Sequence, residues 1–359
     1  MVKVVAMDII SSRIFGASLD EAIGSIPDVG RLDGKCVMIT GSTGLIGSAL
    51  VAMLARISST LANGLTVVAC GRSVRRVETL FEDYVGAGIV IPLEYHAERA
   101  IESSFCPNYI IHAASNAHPA AFSSDPVGTI EANVRGLREL LDFARHTNAE
   151  RTVYVSSGEV YGEIQGAVRP YSEEEAGSGA VSLSSPRSAY TEAKRMAEVL
   201  CVSYAAQYSS NVVIVRPSHT YGPNQTAADS RAHAQFLRSA AAGEEIVMKS
   251  AGLQVRSYTY VADCASGILS VMLAGRSGEA YNIANPDAVC SIAEFAGFCA
   301  SAGGSSVIRL DEEGSLSNSP ISKQVLGVEK LLGLGWLGHY DCKNGISISV
   351  QALREEGHY

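Results

Sequence analysis

An α/β fold, with a doubly wound parallel sheet and a smaller C-terminal lobe, is the architecture this sequence predicts. Three observations carry that expectation. A glycine-rich turn separates an apolar run from a helical segment near residue 41, strand-like and helix-like segments alternate as far as Arg216, and a looser Pro/Gly-punctuated pattern follows.

The glycine turn lies in KCVMITGSTGLIGSAL. The apolar run Cys36 to Ile39 breaks at Thr40 into Gly41, Gly44 and Gly47, and apolar residues resume with helical spacing at Leu45, Ile46, Leu50 and Leu54. Strand, glycine turn and helix in this order form the opening of a dinucleotide-binding, Rossmann-type unit. Glycine permits positive φ and a close approach of backbone N–H groups to a pyrophosphate, and the helix N-terminus favours the anion.

Strands are expected where short apolar, β-branched runs occur: 35–40 (KCVMIT), 65–70 (LTVVAC), 88–93 (GIVIPL), 108–113 (NYIIHA), 151–156 (RTVYVS) and 211–216 (NVVIVR). Helices are expected at 45–57, 73–83, 127–146 and 190–207. Residues 1–33 form an N-terminal extension in which LDEAIGSIP (Leu19 to Pro27) predicts a short helix, a packing or dimer element with no chemistry in it. Residues 34–217 are expected to form the dinucleotide-binding domain, and 218–359 mostly a substrate-binding lobe, partly interleaved with the first domain. The polar stretch Ser172 to Ser188 predicts a mobile loop at the active site.

A chain of 359 residues accommodates such a fold with a second lobe. The net charge of −9 argues against nucleic acid or an anionic membrane as a general partner. Eight cysteines without a CxxC pair suggest neither a zinc site nor a disulfide framework. No run reaches transmembrane length, and the opening MVKVVAMDIISSRIF has neither an apolar core of signal length nor a clear cleavage site. A cytoplasmic protein with reduced thiols and no metal is the expectation.

The chemistry is carried by SAYTEAKRMAE, where Tyr190 and Lys194 lie four apart on a helical segment and so one turn apart on one face. A nearby ammonium, with a nicotinamide's positive charge, is expected to favour phenolate, so that the tyrosine exchanges a proton with a sugar hydroxyl. Upstream, VYVSSGEVYGE ends a strand at Ser156 and Ser157, where a hydroxyl can share that substrate oxygen. Tyr-x-x-x-Lys alone is common on solvated helices; its force comes from occurring with the glycine turn and the serine pair in one chain, in this order.

Together these landmarks resemble the extended short-chain dehydrogenases/reductases of the NAD-dependent epimerase/dehydratase type, the branch that modifies nucleotide sugars. The matching stretches are TGSTGLIGSAL, IIHAAS (Ile110 to Ser115), Asn133-Val134-x-Gly136, SSGEVYG, YTEAK, RPSHTYGPN (Arg216 to Asn224), RSYTYVADC (Arg256 to Cys264) and LGLGWLG around Trp336. The resemblance implies catalytic roles for Ser157, Glu159, Tyr190 and Lys194, with Lys194 also on the cofactor ribose. It implies a cofactor site of Gly41, Thr43, Gly44, Leu45, Ile46, Gly47, Ala113, Ala114, Ser115, Asn133, Tyr190 and Lys194. Substrate contacts are implied for Ser115, His118, Ser157, His219, Arg231 and Arg256, the two arginines holding the diphosphate and the sugar; the branch also implies a homodimer.

The residues after Ser157 discriminate within the branch. Glucose 4,6-dehydratases resemble S-T-D-E-V-Y-G, whereas this chain reads S-S-G-E-V-Y-G and has Gly158 where the dehydratase acid stands. UDP-glucuronate decarboxylases resemble S-T-S-E-V-Y-G, with the glutamate and without the aspartate, and YTEAKRMAE, TYGPN, DSRAHAQF and QVRSYTYV also look like theirs. A solvent-facing strand-end carboxylate is the plain alternative for Glu159. Two further departures are His219 in place of the branch's asparagine, either a phosphate donor or a structural histidine, and Phe122 at what looks like a tyrosine position beside the sugar.

For the cofactor, TVVACGRSVRR lacks the acid that binds a ribose 2′-hydroxyl at the end of the second strand. Arg72 and Ser73 can pair with a 2′-phosphate, or Arg72 can stack on adenine. Family habit implies NAD, and local chemistry keeps NADP beside it. The leading expectation is a redox-neutral nucleotide-sugar enzyme working through a transient C4 ketone, decarboxylase-like, with epimerase and 4,6-dehydratase as alternatives. An NADPH-dependent ketone reductase and a non-catalytic dinucleotide sensor complete the set; intact Ser157, Tyr190 and Lys194 argue against the sensor.

Overall fold

The structure is a computed structural model and describes residues 9–357 except 98, 100, 102, 103, 116–118, 165, 167, 168, 180, 227 and 311–321. The first half runs α1 (Arg13–Ile23), β1 (Cys36–Thr40), α2 (Leu45–Ser58), β2 (Thr66–Gly71), α3 (Val74–Leu80), α4 (Glu82–Gly86), β3 (Val90–Glu94), β4 (Tyr109–His112), α5 (Pro119–Ser124), α6 (Pro126–His146) and β5 (Arg151–Val155). The second half runs α7 (Ser188–Tyr208), β6 (Val212–Pro217), β7 (His219–Tyr221), α8 (Ala232–Ala242), β8 (Ile246–Met248), β9 (Val255–Tyr260), α9 (Val261–Ala274), β10 (Ala280–Ile283), β11 (Val289–Ser291), α10 (Ile292–Gly303), β12 (Val307–Arg309), β13 (Lys323–Gln324), α11 (Glu329–Leu332) and α12 (Cys342–Glu355).

Seven strands form one sheet in the order β10-β6-β5-β4-β1-β2-β3, and every neighbouring pair is parallel. Strand alternation explains why this sheet is covered on both faces. Val37, Ile39, Val67 and Ala69 pack in a core with α2, while Met38, Val68, Cys70 and Ile110 pack with α6 and α7 on the other side. The chain order reverses between β1 and β4, so a crevice opens beyond their carboxyl ends, the usual ligand position in open α/β sheets. A four-stranded sheet of β7, β9, β11 and β13 and a two-stranded pair, β8 with β12, stand beyond that edge.

The six strands read from the sequence are present, each within about two residues of its expected bounds. The helix expected at 73–83 is broken at Phe81, which takes φ −122° and ψ 31° as its ring is buried. The extension folds into a longer helix than Leu19 to Pro27 suggests. Ser12 caps α1 by accepting from the Phe15 N–H at 3.3 Å, and Phe15, Leu19 and Ala22 bury one stripe in the main core. The stretch from Ser172 is likewise anchored where the sequence suggests a mobile loop: Glu173 is buried and accepts from the Asn282 N–H at 2.9 Å.

Beneath the carboxyl edge lies a buried ion pair. Glu198 of α7 receives Arg216 Nε at 2.9 Å and Nη2 at 2.8 Å, and the Ser156 hydroxyl donates to the same carboxylate at 2.6 Å. Arg216 Nη1 also donates to the Tyr161 hydroxyl at 3.0 Å and the Glu173 carbonyl at 2.7 Å. Burial opposes the arginine's charge, but its hydrogen bonds and attraction to Glu198 outweigh that and hold its pKa above the ordinary value. Removing one partner leaves the other buried and uncompensated. Glu198→Ala should therefore lose roughly 3–5 kcal/mol in a denaturant melt, and Glu198→Leu combined with Arg216→Met should recover much of it.

Candidate active site

The crevice holds a cavity of about 390 Å³ lined by the glycine turn, the ends of β5 and β6, the start of α7, and residues of the smaller sheets. At its floor Gly41 has φ +71°, and a Cβ there would lie 2.8 Å from the backbone of Ala113 and Ala114; one at Gly47 would lie 2.1 Å from the Gly41 carbonyl oxygen. Side chains at these positions would separate β1, β4 and α2. Below the turn the Thr40 hydroxyl and His112 Nδ1 join β1 to β4 at 2.8 Å. The first turn of α2 (Leu45, Ile46, Gly47) lines the cavity, and its N-cap Gly44 offers no side-chain cap. The geometry suits a pyrophosphate.

Tyr190, Lys194 and Glu198 follow one another at four-residue spacing along α7, and the ion pair of Glu198 fixes that face against the sheet. The Lys194 ammonium donates to the Val155 carbonyl at 2.8 Å, and burial, partly opposed by Glu198, lowers its pKa to about 7. Tyr190 stacks on Phe122 with ring centroids 5.2 Å apart. Burial raises the tyrosine to about 12, against the pull of a hydrogen bond from Ser157 and of Arg231 and Arg187. The expectation of a tyrosine lowered by its lysine and a nicotinamide's positive charge applies to the cofactor-bound site, whereas this direction is that of the chain alone. In the chain alone the lysine lies 5.8 Å from the ring centroid and is turned to a carbonyl, so desolvation decides the direction.

The serine pair divides its work. Ser156 points down to Glu198, whereas Ser157 faces the cavity, accepts from the Glu159 N–H at 3.2 Å and shares a hydrogen bond with Tyr190. Glu159 does not face open solvent. Arg187 grips it with both Nε, at 3.2 Å, and Nη2. A Cβ at Gly158 would meet nothing closer than the Pro217 carbonyl oxygen at 3.5 Å, so the backbone here does not itself require glycine. Gln324 of β13 donates to the Gly158 carbonyl at 2.9 Å and pins this turn from the smaller sheet.

Gly41, Gly44, Leu45, Ile46, Gly47, Ala113, Ser115, Ser157, Glu159, Tyr190, Lys194, His219, Arg231 and Arg256 all line the cavity. Thr43, Ala114 and Asn133 do not; Asn133 is buried and accepts from the Ser115 hydroxyl at 3.1 Å, a supporting position. Arg72 and Ser73 also lie off the lining. Ser73 caps α3 and Arg72 is exposed at the end of β2, next to β1 in the sheet. His118 lies outside the described residues. Arg231 is held by Asp229, its Nε at 2.9 Å and Nη2 at 2.5 Å. Burial, and then Arg256, Arg231 and Arg187, push His219 down to about 3 in the chain alone.

The model of the NAD dependent epimerase/dehydratase family matches residues 37–284. The chain belongs to this family. UDP-glucuronic acid decarboxylase 1 of Xenopus tropicalis is 30% identical over 272 residues, covering 74% of this chain, and the chain spans 59% of that relative's length. Two solved structures share the fold. The UDP-glucose 4-epimerase of Thermotoga maritima, with UDP-glucose, superposes with a TM-score of 0.75 at 23% identity over 89% of this chain and 99% of its own. The dTDP-glucose 4,6-dehydratase of Bacillus anthracis, in complex with NAD, gives 0.74 at 20% identity over 91% and 98%.

Arg187, Gln324 and His233 also line the cavity in this family member, although no sequence motif marks them. Arg187 was within reach, because it stands three residues before Tyr190 and its carbonyl accepts the Thr191 N–H at the start of the helix. Gln324 and His233 come from distant segments that no local pattern ties to the tyrosine. The ionisation of Tyr190 can be read directly. Alkaline ultraviolet difference titration of the cofactor-free chain against Tyr190→Phe should show no phenolate from this residue below about pH 10; a midpoint near pH 7 would contradict the burial argument.

Proposed function

We propose that the chain catalyses a redox-neutral reaction on a nucleotide sugar through a transient C4 ketone, and that the reaction its site supports best is decarboxylation of UDP-glucuronate. The observation that carries this is the pair Gly158 and Glu159 beside Tyr190: the acid needed to expel a C6 hydroxyl is missing, while the glutamate is retained within the cavity. The decarboxylase relative, at 30% identity over 74% of the chain, supports it.

NAD would be held by the first turn of α2, by Ser115 and by Lys194, and when bound it supplies the acceptor and later the donor of hydride at sugar C4. Tyr190, a phenolate once the Lys194 ammonium and the positive charge of bound NAD offset its burial, takes the proton of the C4 hydroxyl, with Ser157 sharing that oxygen. Oxidation at C4 makes a C6 carboxylate part of a β-keto acid. The C5–C6 bond then breaks, its electron pair passes to the C4 oxygen as an enolate, carbon dioxide departs, and a solvent proton directed by Glu159 takes its place at C5 as the enolate collapses to the C4 ketone. Tyr190 gives its proton back as C4 is reduced. Arg231 and Arg256, which both line the cavity, would hold the diphosphate and the sugar.

A homodimer belongs to the same proposal. Val127 and Ile130 on α6, and Met196, Val199 and Val202 on α7, are exposed apolar side chains on two helices that pack together, an outward surface suited to a second copy.

Mass spectrometry tests the reaction. UDP-glucuronate should lose about 44 mass units, the mass of carbon dioxide, while UDP-glucose and dTDP-glucose should show little loss of the roughly 18 units of water. Glu159→Gln should slow turnover on the order of 100-fold without loss of NAD. Efficient dehydration of a neutral hexose nucleotide would refute the reading, and a product of unchanged mass with altered chromatography would move it to epimerisation.

One observation favours a second cofactor reading, namely exposed Arg72 at a strand end that carries no acid. If Arg72 meets a 2′-phosphate, Arg72→Ala should weaken NADP at least about tenfold while sparing NAD. Equal weakening of both in a binding titration would point to stacking on adenine.

A further inference from the structure

Three arginines enter the cavity, and they are not equivalent. Arg231 is chelated by Asp229, which holds it from its own loop. Arg256 is buried on β9 and donates to the Val255 carbonyl at 2.9 Å. Arg187 differs because its carboxylate partner is Glu159, itself a cavity-lining side chain beside Tyr190. Arg187 stands at the N-cap of α7, one turn before Tyr190, close enough to bias the ionisation of Tyr190, His219 and Arg256.

A half-buried guanidinium held by two hydrogen bonds needs an anionic partner, and exchanging one carboxylate for another costs it little. A neutral C6 hydroxymethyl group cannot make that exchange. In a sugar whose C4 hydroxyl lies on Tyr190, C6 is attached to the adjacent carbon, so its substituent falls within reach of a residue one helical turn away. Arg231 and Arg256 are the arginines that the family resemblance gives to the diphosphate and the sugar, and Arg187 is the third arginine of the cavity lining and the one whose carboxylate partner lies beside Tyr190.

We infer that Arg187 is a specificity-determining residue that reads the charge at C6: a substrate carboxylate displaces Glu159 from Arg187, and that displacement frees Glu159 to act near C5. A neutral hexose nucleotide leaves the Arg187–Glu159 pair closed. The inference rests on the decarboxylase reading above and deepens it by naming the group that selects a uronic acid.

Calorimetric titration of the full chain in excess NAD tests it, with UDP-glucuronate and UDP-glucose as probes. Arg187→Gln should weaken UDP-glucuronate at least about tenfold and change UDP-glucose by less than about twofold, and Arg187→Lys should keep part of the preference. Glu159→Gln supplies an independent arm. By removing the internal competitor it should bind UDP-glucuronate about threefold or more tightly although it turns over slowly, a split that a merely structural ion pair would not produce. Parallel weakening of both sugars in Arg187→Gln, or weaker UDP-glucuronate binding in Glu159→Gln, would overturn the assignment of Arg187 while wild-type decarboxylation stood. A wild-type chain that neither binds nor decarboxylates UDP-glucuronate would overturn the underlying reading and this inference with it.

Discussion

The buried contact between Glu198 and Arg216 is the constraint on which the site depends. It joins the middle of α7 to the end of β6, takes in the Ser156 hydroxyl from the end of β5, and continues through Tyr161 to Asn282 of β10 at 2.6 Å. Three strand ends and one helix are thereby held in one register. Tyr190 and Lys194 sit on the same helical face as Glu198, so their positions over the crevice follow from the pair's geometry. A buried ion pair is not efficient as a source of stability, because desolvation consumes much of its Coulombic gain. Here its value is positional, since a directional, bidentate contact admits one orientation of the helix where apolar packing would tolerate several.

The opposite wall is made by backbone rather than by side chains. The close approach of the Gly41 turn to Ala113 and Ala114, and of Gly47 to the Gly41 carbonyl, brings two strand ends and a helix N-terminus together with no room for a Cβ. One side of the cavity therefore presents N–H groups suited to an anion, and the other a titratable tyrosine, a lysine and three arginines. A polar ligand with negative charge along its length fits such a division. The burial that sharpens these electrostatics also keeps Tyr190 neutral in the chain by itself and brings the pKa of Lys194 down to about 7. Desolvation penalises each group's charged form, and an added positive charge nearby would favour phenolate.

The smaller sheets contribute contacts that the large sheet cannot. Gln324 reaches back to the Gly158 carbonyl, and Asp263 at the start of α9 accepts the His339 N–H at 3.0 Å and that of Tyr340 at 3.0 Å, drawing in the C-terminal segment. Trp336, fully buried, donates to the Ser266 hydroxyl at 2.9 Å. Of these contacts the one from Gln324, distant in sequence, holds the turn that carries Ser157 and Glu159.

The sequence by itself determined the parallel sheet, the glycine turn, and the presence of Tyr190 and Lys194 on one helical face. Each is a local matter: strand alternation, helical periodicity and the conformational freedom of glycine all act within a few residues. The family resemblance marked Gly158 and Glu159 as a departure from the dehydratase arrangement, but local patterns stop at such features. They did not place α1 correctly, because its boundary is set by a Ser12 cap and by burial against distant helices. Nor did they give the ionisation of Tyr190, the division of labour between Ser156 and Ser157, or the grip of Arg187 on Glu159. Those were decided by the tertiary structure, since desolvation and hydrogen-bond partnership depend on which remote segments close over a residue, and proximity along the chain does not encode them.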